Sequence, residues 1–332
     1  EQLRAGQERG VLAAGWLPVL RFADVVFITV FGDEGESGAT QAFLAEHGIP
    51  FTGPSAKVCA LTFDKQATKQ VLQEHGLATP PWHLVRRDHV GKDLATMALP
   101  GPWIVKPVAG GSTIGLSFVS DETDLAAAVS LATAAGVDAL VERFIQGRDY
   151  TVGVLGDDVL EVVQTSTERD LFDYTAKYTP GLAVKRTPTD LTDEQLDEVR
   201  GLAGRVHEIL EIGDTSSRSD FRLDTQGRFW FFETNPLPGL TPTSSYPISA
   251  APRGLTFPRL CEELIIRALA DHHQGLPLDP RRERAIPVLP EAPARDQLGP
   301  TPAPQPHRGT STRHPLPPVA PQPDAPTSPP VP

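Results

Sequence analysis

The distribution of proline limits how much of this chain can fold. The chain has 332 residues and 34 prolines, and 16 of these prolines lie in the last 46 residues, from Pro287 to Pro332. Such a segment cannot bury enough apolar surface to offset its ordering entropy, and proline favours extended polyproline conformations. We therefore predict a disordered tail over residues 276–332 and a folded region over residues 1–275. The P-x-x-P matches in the tail are expected by chance in this composition.

Charge and hydropathy exclude several classes of protein. A formal net charge of −12 and a pI near 5.2 argue against a general nucleic-acid binder, which needs clustered lysine and arginine. No apolar run approaches the roughly 18 residues of a membrane helix, and no signal-peptide pattern is seen, so we expect no membrane association and a cytoplasmic location. Two cysteines, Cys59 and Cys261, agree with a reducing compartment. The first residue is Glu1 rather than Met, which is expected of a fragment or a processed chain.

Short β-branched runs alternate with amphipathic segments over residues 25–270. This alternation predicts an α/β or α+β fold. Strands are predicted at residues 25–30, 103–106, 116–119, 139–142, 150–155, 159–164 and 228–233. Helices are predicted at residues 40–47, 69–75, 120–135, 258–270 and, from the capping box at Thr192 and Gln195, over about 20 residues after Thr192.

A glycine-rich segment, KPVAGGSTIG from Lys106 to Gly115, joins two of the predicted strands. Glycines let the backbone approach a phosphate closely, and Lys106 could place a cation on the same anion. The segment fits neither a Walker loop nor a Rossmann turn. On this segment alone, an ordinary β-turn is an equally good interpretation.

Three oxygen-bearing side chains are predicted to meet at one end of a sheet. Asp220 should begin one strand and Glu233 should end the next, with Asn235 two residues later. Hard oxygen ligands suit Mg²⁺, which takes phosphate oxygens as further ligands. The alternative, solvated strand ends, is less favourable because charged residues are embedded in the apolar run RFWFFETN. The polar stretch FDYTAKY, residues 172–178, suits either a lid over a charged substrate or a surface loop.

The order of these motifs resembles the D-alanine–D-alanine ligases of the ATP-grasp superfamily. The pattern is D-K-x-x-x-K, K-P…G-S-[ST]-x-G, V-E-[KR]-[FW]-[IL]-x-G-x-[ED], D-Y-x-A-K-Y and R-x-D-F…E-x-N-x-x-P-G-[LM]-T, and it runs from about residue 25 to 270. The resemblance implies an ATP-grasp fold of the α/β (α+β) class, with the nucleotide held between two α+β subdomains. The implied domains are a truncated N-terminal α/β domain at 1–64, a central subdomain at 65–142, a C-terminal subdomain with the metal site at 143–275, and the tail at 276–332.

The resemblance implies a nucleotide and metal site. The cofactors would be ATP and two Mg²⁺ ions, for which Mn²⁺ could substitute. The implied nucleotide-binding residues are Lys65 and Lys106 at the phosphates, Ser112 and Thr113 in the loop above them, Glu142 and Phe144 at adenine, Asp149 at ribose and Lys177 in the mobile loop. The implied metal ligands are Asp220, Glu233 and Asn235.

The resemblance also implies catalytic and substrate residues. Arg218 would stabilise the acyl-phosphate and the tetrahedral intermediate, and Ser112, Lys177 and Tyr178 would complete the catalytic set. The implied substrate-binding residues are Glu36, Arg218, Gly239 and Ser244. Tyr178 favours an amine rather than a hydroxyl as the second nucleophile.

The first-substrate half departs from the family pattern. No G-G-x-S-x-E segment occurs in residues 1–19, the family's His is Phe31, its Asp is Ser37, and its Ser-Leu is Ser244-Ser245. The resemblance implies an ATP-dependent carboxylate–amine ligase that acts on D-alanine or a related amino acid through an acyl-phosphate, as in peptidoglycan synthesis for the cell wall. The departures favour a changed acyl substrate or lost activity over that housekeeping role. Two alternatives stay open, a ligase for other amino acids in specialised peptides and an ATP-binding homologue that no longer ligates. A homodimer is implied by the family alone.

Overall fold

The structure, a computed structural model, describes residues 14–30, 32–111, 114–167 and 183–275. The predictions that fall outside these ranges concern the proline-rich tail, Phe31, Ser112, Thr113, Lys177 and Tyr178. The helices are α1 (Leu17–Leu20), α2 (Asp33–Glu36), α3 (Ala39–Glu46), α4 (Ala56–Phe63), α5 (Lys65–Glu74), α6 (Val90–Ala95), α7 (Leu125–Thr133), α8 (Asp193–Ile209), α9 (Ser245–Ala250) and α10 (Phe257–Gly275). In the part of the chain that is described, no helix is both long and apolar enough to cross a membrane.

A four-stranded antiparallel sheet lies in the first half of the chain. Its strands are β1 (Trp82–Val85), β2 (Trp103–Pro107), β3 (Ser117–Val119) and β4 (Ala139–Arg143), in the order β1-β4-β2-β3. Helix α7 packs on it, and Val105, Val129 and Val141 are fully buried between them. The strands β2 and β4 are antiparallel, so the start of β2 lies beside the end of β4, with Ile104 opposite Glu142.

A five-stranded antiparallel sheet follows. Its strands are β5 (Gly147–Leu155), β6 (Asp158–Thr167), β7 (Ala183–Arg186), β8 (Ser216–Asp224) and β9 (Phe229–Asn235), in the order β7-β6-β5-β8-β9. Helix α8 begins with the predicted capping box and packs on β5, β6 and β8. Tyr150, Val206 and Phe221 are among the buried residues of the core between them. The α/β (α+β) class predicted from the sequence is confirmed, and the domain boundaries stay predictions.

The strand predicted at residues 25–30 is wrong. Within the described residues this segment forms a single parallel bridge, between Val26 and Phe51. The amide of Ile28 donates to the hydroxyl of Thr52 over 3.0 Å, so a side chain replaces the next backbone acceptor and the ladder ends. Apolar residues here bury against α3 and Leu237 without extending a sheet.

Candidate active site

The two sheets contribute residues to one cleft of about 450 Å³. Eleven of the residues predicted from the sequence line it. They are Glu36, Lys65, Lys106, Glu142, Asp149, Arg218, Asp220, Glu233, Asn235, Gly239 and Ser244. Phe144 does not line the cleft; its ring packs edge-on against Phe118, with centroids 5.0 Å apart.

The predicted metal ligands lie on the β8–β9 hairpin. Asp220 is opposite Glu233, and Arg218 is opposite Asn235. The prediction that Asp220 begins its strand is wrong, because β8 already starts at Ser216. A register shift follows directly after Asp220, and both residues of the Asp220–Glu233 pair line the cleft.

Hydrogen bonds hold Asp220 in place. Its Oδ1 accepts from the hydroxyl of Thr151 over 2.7 Å, and its Oδ2 accepts from Arg218 Nη2 over 3.0 Å. The same Nη2 lies 3.8 Å from Glu233 Oε1. A carboxylate oxygen has more than one lone pair, so both oxygens of Asp220 keep capacity for a further ligand. Thr151 carries no motif of its own, and only strand pairing reveals it.

Asn235 is oriented by a residue from the N-terminal part of the chain. Its Nδ2 donates to Glu36 Oε1 over 2.7 Å, and its Oδ1 accepts from the amide of Leu237 over 2.8 Å. Glu36 Oε2 accepts from the amide of Gly32 over 2.9 Å. The Glu36 carboxylate therefore fixes which end of the Asn235 amide faces the cleft.

This donor set fits Mg²⁺ held together with phosphate. Asp220, Glu233 and Asn235 offer only oxygen ligands, and within the described ranges no cluster of three His, Cys, Asp or Glu side chains forms a complete cage. Mg²⁺ is usually bound through one or two carboxylates with phosphate and water oxygens completing the octahedron. The residues present therefore fit a metal that arrives with a nucleotide.

Lys65 and Lys106 lie at the same end of the cleft as these carboxylates. Asp64 caps α5 by accepting from Ala67 N over 2.9 Å, and its backbone pairs with Ala109, so Lys65 is placed beside the glycine-rich segment. Lys65 Nζ donates to the carbonyl of Gly110. Desolvation lowers the pKa of Lys65, Glu233, Glu142 and Glu36 counteract this, and Lys106 reinforces it. Gly110 has a φ of 114°, which only glycine adopts without strain.

Glu142 lies between two lysines. Its Oε2 is 2.8 Å from Lys106 Nζ, and its Oε1 is 2.8 Å from Lys69 Nζ. Burial would raise the pKa of Glu142, yet Lys106 and Lys69 together hold it below its usual value. The sequence predicts no role for Lys69, the second lysine of the D-K-x-x-x-K motif.

Asp149 and Arg222 form a bidentate pair. Arg222 Nε and Nη2 donate to the two oxygens of Asp149 over 2.6 and 2.9 Å. The guanidinium of Arg222 also donates to the carbonyl of Ile145 over 2.9 Å and lies 5.0 Å from the ring centre of Phe232. The carboxylate predicted to meet ribose is thus held rigidly by a buried arginine that was not predicted to be part of the site.

Comparison with known protein sequences decides the family. The family model described as the D-ala D-ala ligase C-terminus matches residues 71–266. The D-alanine–D-alanine ligase of Pelotomaculum thermopropionicum is 36% identical over 258 residues, which cover 74% of this chain and 80% of that protein. The corresponding ligase of Chromohalobacter salexigens is 38% identical over 246 residues, covering 74% and 76%. This chain belongs to the D-alanine–D-alanine ligase family.

Solved structures of related ligases share the ATP-grasp fold with this family member. The VanG D-Ala:D-Ser ligase of Enterococcus faecalis has a TM-score of 0.68 and 29% identity, covering 74% of this chain and 73% of that one. The D-alanine–D-alanine ligase of Coxiella burnetii has a TM-score of 0.66 and 26% identity, covering 76% and 70%. The Bacillus anthracis enzyme, solved in complex with ATP, is similar in fold with a TM-score of 0.66 at 21% identity, covering 79% and 84%.

In this D-alanine–D-alanine ligase family member, the other end of the cleft is rich in hydroxyl groups. Ser244 Oγ accepts from the amide of Thr241 over 3.1 Å, and a methyl group on Gly239 would come within 2.9 Å of that oxygen. Ser245 begins α9 and lines the cleft. Lys185 also lines it, and its Nζ donates to the carbonyl of Thr243 over 2.8 Å. The sequence predicted Gly239 and Ser244 here but not Lys185.

Proposed function

We propose that this protein uses ATP to join the carboxylate of one amino acid to the amine of another, with D-alanine or a related amino acid as substrate, in the synthesis of peptidoglycan. The observation that carries the proposal is one cleft in which Lys65 and Lys106 lie with the carboxylates of Asp220 and Glu233. Lysines suit the phosphates of a nucleotide, and the carboxylates suit its divalent cation. Family membership supports the same reaction.

The first half of the reaction activates a carboxylate. A carboxylate oxygen attacks the γ-phosphorus of ATP, and the bond between that phosphorus and the oxygen bridging it to the β-phosphate breaks. ADP is released and an acyl-phosphate is formed. Bound Mg²⁺ would neutralise charge on the transferring phosphoryl group. Lys65 and Lys106 would hold the phosphates in line, while Glu36 keeps the Asn235 amide in place. Asp149 would accept from the ribose hydroxyls, and Glu142, near the end of β4, would meet adenine.

The second half forms the amide. The amine attacks the acyl carbon, the carbon–oxygen bond to phosphate breaks, and the nitrogen loses a proton. Arg218, held between Asp220 and Glu233, would stabilise the oxyanion that develops on the acyl oxygen. Gly239 and Ser244 would bind the carboxylate of the attacking amino acid.

Charge removal at the metal ligands tests this proposal. We expect Asp220→Asn and Glu233→Gln each to lower ATP turnover at least about 100-fold in a phosphate-release assay. Each substitution removes the negative charge of one proposed ligand of the metal that neutralises the reacting phosphate. Asp158→Asn, at the exposed start of β6, is the matched control and should retain wild-type turnover. Wild-type turnover in either cleft variant would exclude this metal assignment.

A second candidate is the same chemistry on other amino acids in a specialised peptide. Ser245, in place of the family's Leu, and Lys185 make the acceptor end of the cleft more polar. A panel of amino-acid pairs in the phosphate-release assay separates the two. Strong phosphate release with D-alanine alone rejects the second candidate, while nucleotide binding without any product supports the homologue that no longer ligates. The homodimer and the cytoplasmic location stay predictions.

A further inference from the structure

Lys69 is a buried cation that the proposed mechanism does not use. Its side chain is 0% exposed, although it lies on α5 only one helical turn after Lys65. A lysine is almost never fully buried unless it is paired, because removing an ammonium group from water is costly. Its partner therefore indicates its role.

Three charged groups form a line that leads from Lys69 to the cleft. Lys69 Nζ lies 2.8 Å from Glu142 Oε1, and Glu142 Oε2 lies 2.8 Å from Lys106 Nζ. Lys69 Nζ also lies 5.0 Å from the ring centre of Trp82. Lys106 and Glu142 line the cleft, whereas Lys69 does not line it and pairs with the far oxygen of Glu142. The ion pairs of the described residues therefore connect Lys69 to the cleft through Glu142.

The electrostatics of this line give it a net positive charge. Burial lowers the pKa of Lys69 to about 8, while Glu142 raises it and Lys106 lowers it. Lys69 therefore stays largely protonated at neutral pH. Glu142 stays ionised, because the two lysines hold its pKa low. Two ammonium groups and one carboxylate leave one positive charge beside the place proposed for phosphate.

We infer that Lys69 is a positioning residue for the nucleotide, which acts through Glu142 to keep Lys106 available to phosphate. The inference rests on the proposed ATP site. Without Lys69, Glu142 would be balanced by Lys106 alone, so the pair would be neutral and Lys106 would be held by the carboxylate. Nucleotide affinity should fall, while the reacting groups on β8 and β9 stay in place.

The test is a double-mutant cycle read out by calorimetry with the magnesium complex of the ATP analogue AMP-PNP. We expect Lys69→Met to raise the Kd about tenfold in the wild-type background and less than about threefold in the Glu142→Gln background, since its only route is the missing carboxylate. The kcat at saturating ATP should stay within about threefold of wild type. Lys57→Met, an exposed lysine on α4, is the control and should leave the Kd unchanged.

Equal losses in the two backgrounds, or an unchanged Kd in Lys69→Met, would overturn the inference. If Lys69→Met does not fold because Glu142 keeps only one lysine partner, the Kd of Glu142→Gln is compared with that of the double variant. A Kd in the double variant at least fivefold higher than in Glu142→Gln overturns the inference. A wild type that binds the analogue but makes no product refutes the ligase reaction and leaves this comparison intact. A wild type that binds no analogue overturns both.

Discussion

Arg222 is a buried side chain that joins several parts of the site. Its guanidinium donates to both oxygens of Asp149 and to the carbonyl of Ile145, and it lies 5.0 and 5.7 Å from the ring centres of Phe232 and Phe144. Arg222 is buried, whereas the side chain of Asp149 is 32% exposed. Three fixed donors and two aromatic faces need the planar geometry of arginine, which lysine lacks.

We expect Arg222→Lys to lower the free energy of unfolding by about 1–3 kcal/mol. This loss is smaller than that for breaking a fully buried ion pair, because Asp149 is partly exposed to solvent. Urea denaturation followed by circular dichroism measures it. Arg228→Lys is the matched control, since Arg228 is exposed and stacks on Trp230, and it should change stability by less than about 0.5 kcal/mol. Equal effects in the two variants would show that the bidentate geometry does not matter.

The residues that sequence reasoning missed share one property. Arg222 is 73 residues from Asp149, and Thr151 is 69 residues from Asp220. No local spacing links such partners, so only the pairing of β5 with β8 brings them together. Asp220 and Glu233, in contrast, lie on one hairpin whose turn and apolar run are visible in the sequence. Lys69 is part of the quoted motif, but its contact with Glu142 depends on where the fold places α5 relative to β4.

At the scale of elements, β8 shows why the start of a polar strand escapes prediction, since the sequence predicts it at Asp220 and it lies at Ser216. Its sequence, SSRSDFRLD, lacks an apolar alternation, yet most of it is buried. Its hydroxyl groups find partners inside the fold: Ser217 Oγ lies 2.7 Å from His207 Nδ1, and Ser219 Oγ donates to Thr234 Oγ1 over 3.0 Å. Hydrophobic periodicity does not detect a buried strand whose polar side chains find hydrogen-bond partners inside the fold. The opposite error occurred at residues 25–30, where apolar residues pack without a ladder partner.

The contact between α8 and β8 predicts a dependence of stability on pH. His207 Nε2 lies 2.8 Å from the carbonyl of Gly213 and donates to it, and in the neutral ring Nδ1 accepts from the hydroxyl of Ser217 over 2.7 Å. Burial lowers the pKa of His207, although Gly213, Asp157 and Asp214 counteract it. The unfolded histidine, with a pKa of about 6.5, binds a proton more readily than the folded one. The stability that neutral His207 contributes is therefore present above about pH 6.5 and is lost as the pH falls below it.

We expect the drop in Tm between pH 7.5 and pH 5.0 to be smaller in His207→Gln than in the wild type, because glutamine does not titrate and can keep both hydrogen bonds. Thermal melts followed by circular dichroism at the two pH values measure this difference. His75→Gln, on the exposed end of α5, is the control and should keep the wild-type drop. An identical drop in His207→Gln would show that His207 does not carry the pH dependence.

At the scale of the whole molecule, the cleft assigns phosphate and metal to different elements. The lysines proposed for phosphate lie on α5 and β2, and the carboxylates proposed for Mg²⁺ lie on β8 and β9. A nucleotide without metal would bring its phosphates close to Asp220 and Glu233 and be repelled. Mg²⁺ without nucleotide would meet two carboxylates and an amide, too few ligands to displace its water. The fold therefore favours the metal and the nucleotide together over either alone.

This arrangement predicts a synergy in thermal stability. Ligand at about 100 times its Kd adds about 2.7 kcal/mol, which corresponds to a rise in Tm of about 5–10 °C for a chain of this size. We expect that rise with AMP-PNP plus Mg²⁺, and less than about 2 °C with AMP-PNP in EDTA or with Mg²⁺ alone, measured by scanning fluorimetry. Glu233→Gln should weaken the synergy because it removes one carboxylate from the metal end, whereas Asp158→Asn should keep it. If AMP-PNP in EDTA raised the Tm as much as the complex does, the nucleotide would bind without using β8 and β9, and the carboxylates would need another explanation.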